Sequence, residues 1–502
     1  MSYETLIGER LVFGIPGPRP TRADLQLFRD TRAGGLILYR INYRSPTQIR
    51  ALVREMEESL GRRLLVTVDH EGGRVIMFQD GVTVFPDNLA FGTGGTPADA
   101  ARQGALEGRE LRRLGMDVAF SPTVDVLTPT HSPNIGIRSY GQDPRRVAAM
   151  AVARLRALQA QGVSACAKHF PGLGPASLDP HLDLPNISTT WRQMRDSHLR
   201  PFRAAIAAGV DMVMSSHPLY PRLDPRPKMP ATFSRRLISG LLREELGFRG
   251  VIASDDLEMG ALRHLAPVGR AAVLAAQAGH DLILCCHRAD LQRLVAAALL
   301  DAARSGDLSR RELENSAERL RRLRGKAQRR FGPGAPAPEE AGTSLAARVA
   351  RAAVTVTGPA LPNPRPRNGT TLVLFPRFEP LSRRIMIEPA LRRPAAFFKT
   401  IVSDPEARLF LLDINPSAAE RRRALQRARG ADRVVYVCFD AHLQPGDRAL
   451  LKALQTRTPK PILLLLRNPY DRVFAAPETT VVTAFGFRQC QIAACLERIF
   501  NP

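Results

Sequence analysis

The chain predicts an α/β protein, with a (β/α)8 TIM-type barrel over residues 1–330, a linker at 331–345 and a smaller α/β sandwich domain over 346–502. Three observations lead there. At 502 residues the chain is too long for one core. Eight short apolar runs alternate with amphipathic stretches before a Pro/Gly/Ala-rich break, and eight is the number that closes a barrel. Polar residues stand at the ends of many of these runs: Asp69 with Glu71, Asp125, Lys168 with His169, Ser216 with His217, Asp255 with Asp256, and His287. An open sheet concentrates its site at one or two switch points, whereas a barrel gathers residues from many strand ends around one mouth.

In chain order, the runs that read as strands are 11–14, 35–39, 64–69, 117–121, 163–168, 212–216, 251–255 and 281–285. Between them, 46–60, 98–114, 143–161, 190–208 and 234–246 carry apolar residues at three- and four-residue spacing, the pattern of helices burying one face. Thr190 and Ser234 suit N-cap positions, where a side-chain oxygen accepts a free amide of the first turn. Residues 309–330 form a basic amphipathic stretch, with Leu313, Ala317, Leu320 and Leu323 on one side, and read as a packed terminal helix. The sequence Phe331-Gly-Pro-Gly-Ala-Pro-Ala-Pro-Glu-Glu-Ala-Gly342 marks the linker. Beyond it, strands near 354–357, 371–375, 409–413, 434–439, 462–466 and 481–485 alternate with helices such as 418–428. This second domain has no phosphate-type Gly motif, and its one noteworthy polar cluster is Arg467-Asn-Pro-Tyr-Asp471.

Composition narrows the function classes. No 18-residue apolar run occurs, and the first ten residues lack a basic region followed by an apolar one, so neither a membrane span nor a secretion signal is expected. Six scattered cysteines without Cys-x-x-Cys spacing point to a reduced, cytoplasmic chain with no zinc site and no cofactor. The net charge of +24 is the largest deviation. Its arginines are spread over helices, and aromatic residues at 6% are too few for stacking platforms, so no nucleic-acid partner is expected.

The densest chemistry is Lys168-His-Phe-Pro-Gly-Leu-Gly-Pro-Ala-Ser-Leu-Asp-Pro-His-Leu-Asp-Leu-Pro185, a Gly/Pro-rich loop that follows a buried-type strand. Within it, Asp179-x-His181 offers a histidine beside a carboxylate, able to donate and accept protons near neutral pH. In Asp69-His-Glu-Gly-Gly-Arg74 the paired glycines let backbone approach a ligand, Asp69 can accept hydrogen bonds from sugar hydroxyls, and Arg74 can orient it. Arg138, after a Gly-marked turn, can present a fork of donors inward. Ser254-Asp-Asp-Leu-Glu-Met259 ends a strand with adjacent carboxylates, only one of which can face the barrel axis as a nucleophile. A carboxylate nucleophile, an acid/base and hydroxyl-binding residues together describe double-displacement glycoside cleavage.

Through these motifs the chain resembles the two-domain β-N-acetylglucosaminidases (β-N-acetylhexosaminidases) of glycoside hydrolase family three. The resemblance spans about residues 5–330, with Arg467-Asn-Pro-Tyr-Asp471 extending it into the second domain. It implies Asp255 as nucleophile, His181 as acid/base with Asp179 as its partner, and Asp69, Arg138, Lys168 and His169 as sugar-binding residues, with no metal. It further implies terminal β-linked N-acetylglucosamine as substrate, on muropeptide-like peptidoglycan fragments whose acid groups suit a basic protein. Three departures from the family pattern bear on substrate preference: Leu173 and Pro175 where the family writes His and Asp, Pro180 where it has Ser, and Met77 where a second arginine is common. Alternatives are a β-glucosidase or β-glycoside phosphorylase of the same family, or a non-catalytic sugar-binding relative. Oligomeric state is left open.

Overall fold

The structure is a computed structural model that describes the chain apart from residues 129–131, 177–183, 327–337, 362–368, 384, 457–459 and 502. Its residues fall into two compact units. The first comprises Met1–Glu71, Ile76–Thr83 and Thr96–Gly342; the second comprises Gly72–Val75, Val84–Gly95 and Thr343–Pro502.

In the first unit eight parallel strands follow one another around a ring: β1 (Leu11–Phe13), β2 (Gly35–Leu38), β3 (Leu65–Val68), β4 (Val118–Ala119), β5 (Ser164–Phe170), β6 (Met212–Ser215), β7 (Val251–Ala253) and β8 (Ile283–Cys285). The order is β7-β6-β5-β4-β3-β2-β1-β8, and the bridge Ala253↔Leu282 joins its two ends. The Leu282 amide donates to the Ile252 carbonyl at 3.1 Å and the Ser254 amide to the Leu282 carbonyl at 3.0 Å across this seam. The expected barrel is therefore present. Its strands are buried throughout, as strands covered on both sides must be. Val12, Ile37, Leu65, Val118, Cys166, Met212, Val251 and Leu284, one from each strand, belong to the core cluster that fills it.

The helix Arg310–Lys326 adds Leu320 and Leu323 to that same cluster. Its polar side reaches residues that lie just ahead of strands: Ser316 and Arg319 bond Asp281, Lys326 bonds Asp211 at 2.7 Å, and Arg324 donates to the carbonyls of Glu9 and Gly34 at 3.2 Å. It thus closes the amino-terminal end of the barrel, which leaves the carboxyl ends for the strand-end residues. Two helices depart from the expected regular coil. The segment 190–208 is helical at Trp191–Gln193, widens to a π-type turn at Met194–His198 and resumes at Leu199–Ala207. Pro201 has no amide to donate back into this stretch. The other, Arg236–Glu245, is π-type along its length, with the Ser234 hydroxyl accepting the Leu237 amide at 3.1 Å. Thr190 caps its helix through a reciprocal pair with Gln193.

The second unit contains a six-stranded sheet: β9 (Thr355–Thr357), β10 (Thr371–Pro376), β11 (Ala407–Leu412), β12 (Arg433–Phe439), β13 (Ile462–Leu466) and β14 (Val481–Thr483), in the order β11-β10-β12-β13-β14-β9. Only β9 is antiparallel to its neighbour. Alternate residues go to opposite faces: Val373, Val435, Val437 and Leu464 into one core, Leu372, Val434, Tyr436 and Leu463 into another, which makes an α/β sandwich. The helix Glu340–Ala353 precedes β9. All six cysteines are free thiols, and among the described residues no helix is long and apolar enough to cross a membrane.

Candidate active site

Four of the expected sugar-binding residues meet at the carboxyl ends of β3, β4 and β5, and a residue assigned no role from the sequence gathers them. Glu71 is 1% exposed, and its carboxylate accepts Arg138 Nη2 at 2.7 Å and Nε at 2.8 Å, Lys168 Nζ at 2.6 Å and Thr123 Oγ1 at 3.1 Å. Lys168 also meets the Asp69 carboxylate. Burial would raise the Glu71 carboxyl, but Arg138 and Lys168 outweigh it and hold it well below the usual carboxylate range. Burial works against the charge of Lys168 too, and Asp69 and Glu71 more than reverse it, so the ammonium is held above its ordinary value. Asp69 keeps 32% of its side chain exposed, which leaves it the open acceptor of the group.

His169 continues the network. Its Nε2 lies 3.3 Å from Arg138 Nη2, a group that can only donate, so Nε2 accepts and the proton sits on Nδ1, 2.8 Å from Asp125 Oδ2. Asp125 is fully buried and also accepts the amides of His169 at 3.2 Å and Leu173 at 2.6 Å. It therefore fixes both the ring and the turn that follows β5. The Leu173 departure uses only a backbone amide for this bond, with its side chain buried. One residue on, a Cβ on Gly174 would lie 1.8 Å from the Val126 carbonyl oxygen, so only glycine fits.

Asp255 follows β7 and is partly exposed, its Oδ1 accepting the Asp256 amide at 2.9 Å. Burial raises its carboxyl, but His217, His169, the Asp256 amide and Lys168 together bring it below the ordinary value. Lys168 in that set belongs to the β5 cluster, so Asp255 shares its field. Asp256 is tied into the turn instead: it accepts the amides of Glu258 at 3.1 Å and Cys286 at 3.2 Å, and its other oxygen is 3.3 Å from His287 Nε2. His217 braces the same turn, with Nε2 3.0 Å from the Asp256 carbonyl and Nδ1 2.7 Å from Thr232 Oγ1.

Asp179 and His181 lie outside the described residues. Lys168 is a cation that meets Asp69, and the Arg74 amide donates to Asp87 at 2.6 Å. Gly73 also packs against its own unit: at φ +51°, a Cβ on it would lie 2.4 Å from the backbone of Asp87. Glu71, Asp125 and His217 all stand in the polar set at the strand ends, and that was their only signal in the sequence; what each one bonds is a matter of tertiary contact.

The chain is similar to known proteins in sequence and in fold. Residues 8–323 match the glycosyl hydrolase family 3 N-terminal domain. The chain is 37% identical over 286 residues to a beta-hexosaminidase of Nitrosomonas eutropha, covering 56% of this chain and 81% of that one. It is 35% identical over 317 residues to a beta-hexosaminidase of Pseudomonas aeruginosa, covering 63% and 91%. A solved glycoside hydrolase family 3 beta-N-acetylglucosaminidase from Paenibacillus sp. str. FPU-7 superposes with a TM-score of 0.93 at 30% identity, covering 100% of this chain and 97% of that one. On its barrel, its strand-end residues and these matches, the chain belongs to glycosyl hydrolase family 3 and is a glycoside hydrolase.

Proposed function

We propose that the protein is a retaining β-N-acetylhexosaminidase that removes terminal β-linked N-acetylglucosamine from peptidoglycan-derived fragments, with barrel residues 1–330 carrying the reaction. The observation that supports this most is the single charged network of Asp69, Glu71, Arg138, Lys168 and His169 beside a carboxylate, Asp255, kept ionised by its surroundings. Asp69 accepts hydrogen bonds from sugar hydroxyls, while Lys168, Arg138 and His169 fix the ring against Asp255. The ionised Asp255 attacks the anomeric carbon as His181, oriented by Asp179, gives a proton to the departing oxygen. His181 then takes a proton from water as the water oxygen displaces Asp255, so two inversions retain the β configuration.

A slow 2-fluoro glycoside tests this reading: mass spectrometry should find the sugar on the peptide at Asp255, and a label on Asp256 would overturn it. His181→Ala should slow poor leaving groups about 10²–10⁴-fold and activated aryl leaving groups much less. Equal slowing of both would remove His181 from the acid role.

A further inference from the structure

The sugar chemistry leaves unused a second charged cluster, at the amino-terminal end of the barrel strands. Arg10, one residue ahead of β1, is 3% exposed; its Nε donates to the Asp281 carbonyl at 3.2 Å and its Nη2 contacts the His280 carbonyl. Arg243 places Nη2 2.7 Å from Asp281 Oδ2, and Arg319 places Nε and Nη2 2.9 and 2.8 Å from Asp281 Oδ1. The same carboxylate also accepts the Ile252 amide at 2.9 Å and the Ser316 hydroxyl at 2.7 Å. Its oxygens are saturated, and its single charge faces three guanidiniums.

Two more arginines enlarge the excess. Arg249 is exposed and has no carboxylate within ion-pair distance among the described residues, while Arg235 shares the exposed Glu312 at 3.3 Å. All five line one cleft of about 240 Å³, room for a small anion, in which Glu244 and Glu312 are the only other charged lining residues among those described. Burial lowers Arg10 to about 10, with Asp281 drawing it back up and Arg319 pressing it further down. Burial lowers Arg243, Asp281 offsets part of this, and Arg319 and Arg249 press it further down. Crowded, partly buried positive charge of this kind is stabilised by an anion, and guanidinium forks match phosphoryl oxygens.

We propose that this cleft binds a phosphoryl anion, a polyphosphate or a small phosphate ester, with Arg249 as the direct donor and Arg10, Arg243 and Arg319 supplying the field. The site is at the strand ends opposite to those carrying Asp69, Lys168 and Asp255, so anion and sugar do not compete.

Calorimetric titration of the full-length protein with inorganic pyrophosphate and with glycerol phosphate, against potassium chloride at matched ionic strength, tests the assignment. A Kd below about 1 mM is expected for at least one of the two. The tighter probe distinguishes polyphosphate from ester. Arg249→Gln should weaken binding about tenfold and Arg235→Gln less, both leaving hydrolysis of an aryl N-acetylglucosaminide unchanged. Three results would each overturn the proposal: heats no larger than with chloride, an Arg249→Gln affinity equal to that of the parent, or competitive inhibition of hydrolysis with Ki equal to the measured Kd.

Discussion

Glu71 decides how Arg138 and Lys168 are held. Two cations, Arg138 and Lys168, are 8% and 1% exposed, and each would be costly to bury without the carboxylate between them. Glu71→Gln keeps the shape and removes the charge, so it should destabilise the fold by about 3–5 kcal/mol, the range for breaking a buried ion pair from one side. Because its folded-state carboxyl is held below the unfolded value, the contribution of Glu71 is complete above the ordinary carboxylate pKa and is lost as pH falls through the depressed one. Urea unfolding of parent and variant at pH 7 and pH 3 should therefore show the gap narrowing in acid; an equal gap at both would mean the loss is one of packing. At Asp255 the consequence is kinetic. Asp255→Ala should cost several powers of ten in rate, each about 1.4 kcal/mol of barrier, with the unfolding midpoint little changed.

Among the elements, the helix Arg310–Lys326 carries most for its length, since it supplies core to the barrel and covers strand starts with its polar side. Leu320 is fully buried in the barrel cluster, so Leu320→Ala should lower stability by about 2–5 kcal/mol through lost burial and a residual cavity. A change under about 1 kcal/mol on denaturant unfolding would place the helix outside the folding unit. At the opposite end of the strands, the turn after β5 depends on Asp125, whose three accepted bonds join the β4 and β5 loops. The elements thus divide the work: one end of the barrel is sealed by a helix, the other is shaped by loops that carry charge.

For the molecule as a whole, two buried histidines make stability depend on pH. Burial lowers His198 and His280 from 6.5 to about 4, and Nδ1 of His198 has no hydrogen-bond partner. Unfolding therefore takes up protons between those values, so stability is full above pH 6.5 and falls as pH drops toward 4. Replacing His198 with Leu should reduce the slope in that window by about 1.4 kcal/mol per pH unit, one proton's worth. An unchanged slope from urea unfolding at several pH values would show that the ring is protonated in the folded state. The chain also passes between the two units repeatedly, since Gly72–Val75 and Val84–Gly95 belong with the second. A chain ended at Gly342 would keep those segments but lose Arg488, whose guanidinium donates to the Gly73 and Met386 carbonyls at 2.7 Å. Such a fragment should be less soluble and less stable than the whole protein, as sedimentation and thermal unfolding would show.

The eight apolar runs, the second set of six and the helix at 46–60 were legible in the sequence because burial on both faces of a parallel strand and on one face of a helix leaves a short-range pattern. So was the polar character of the strand ends, and with it the place of Asp69, Lys168, His169 and Asp255. Which carboxylate meets which cation was not. Glu71 joins Arg138 and Lys168 across 67 residues or more of chain, and Asp125 reaches His169 across 44. The folded chain sets Lys168 beside Asp69 across 99 residues. Local periodicity fixes which way a segment turns its face; the partner of a buried charge is chosen only when strands distant in sequence are brought side by side, and that choice is made by the tertiary structure.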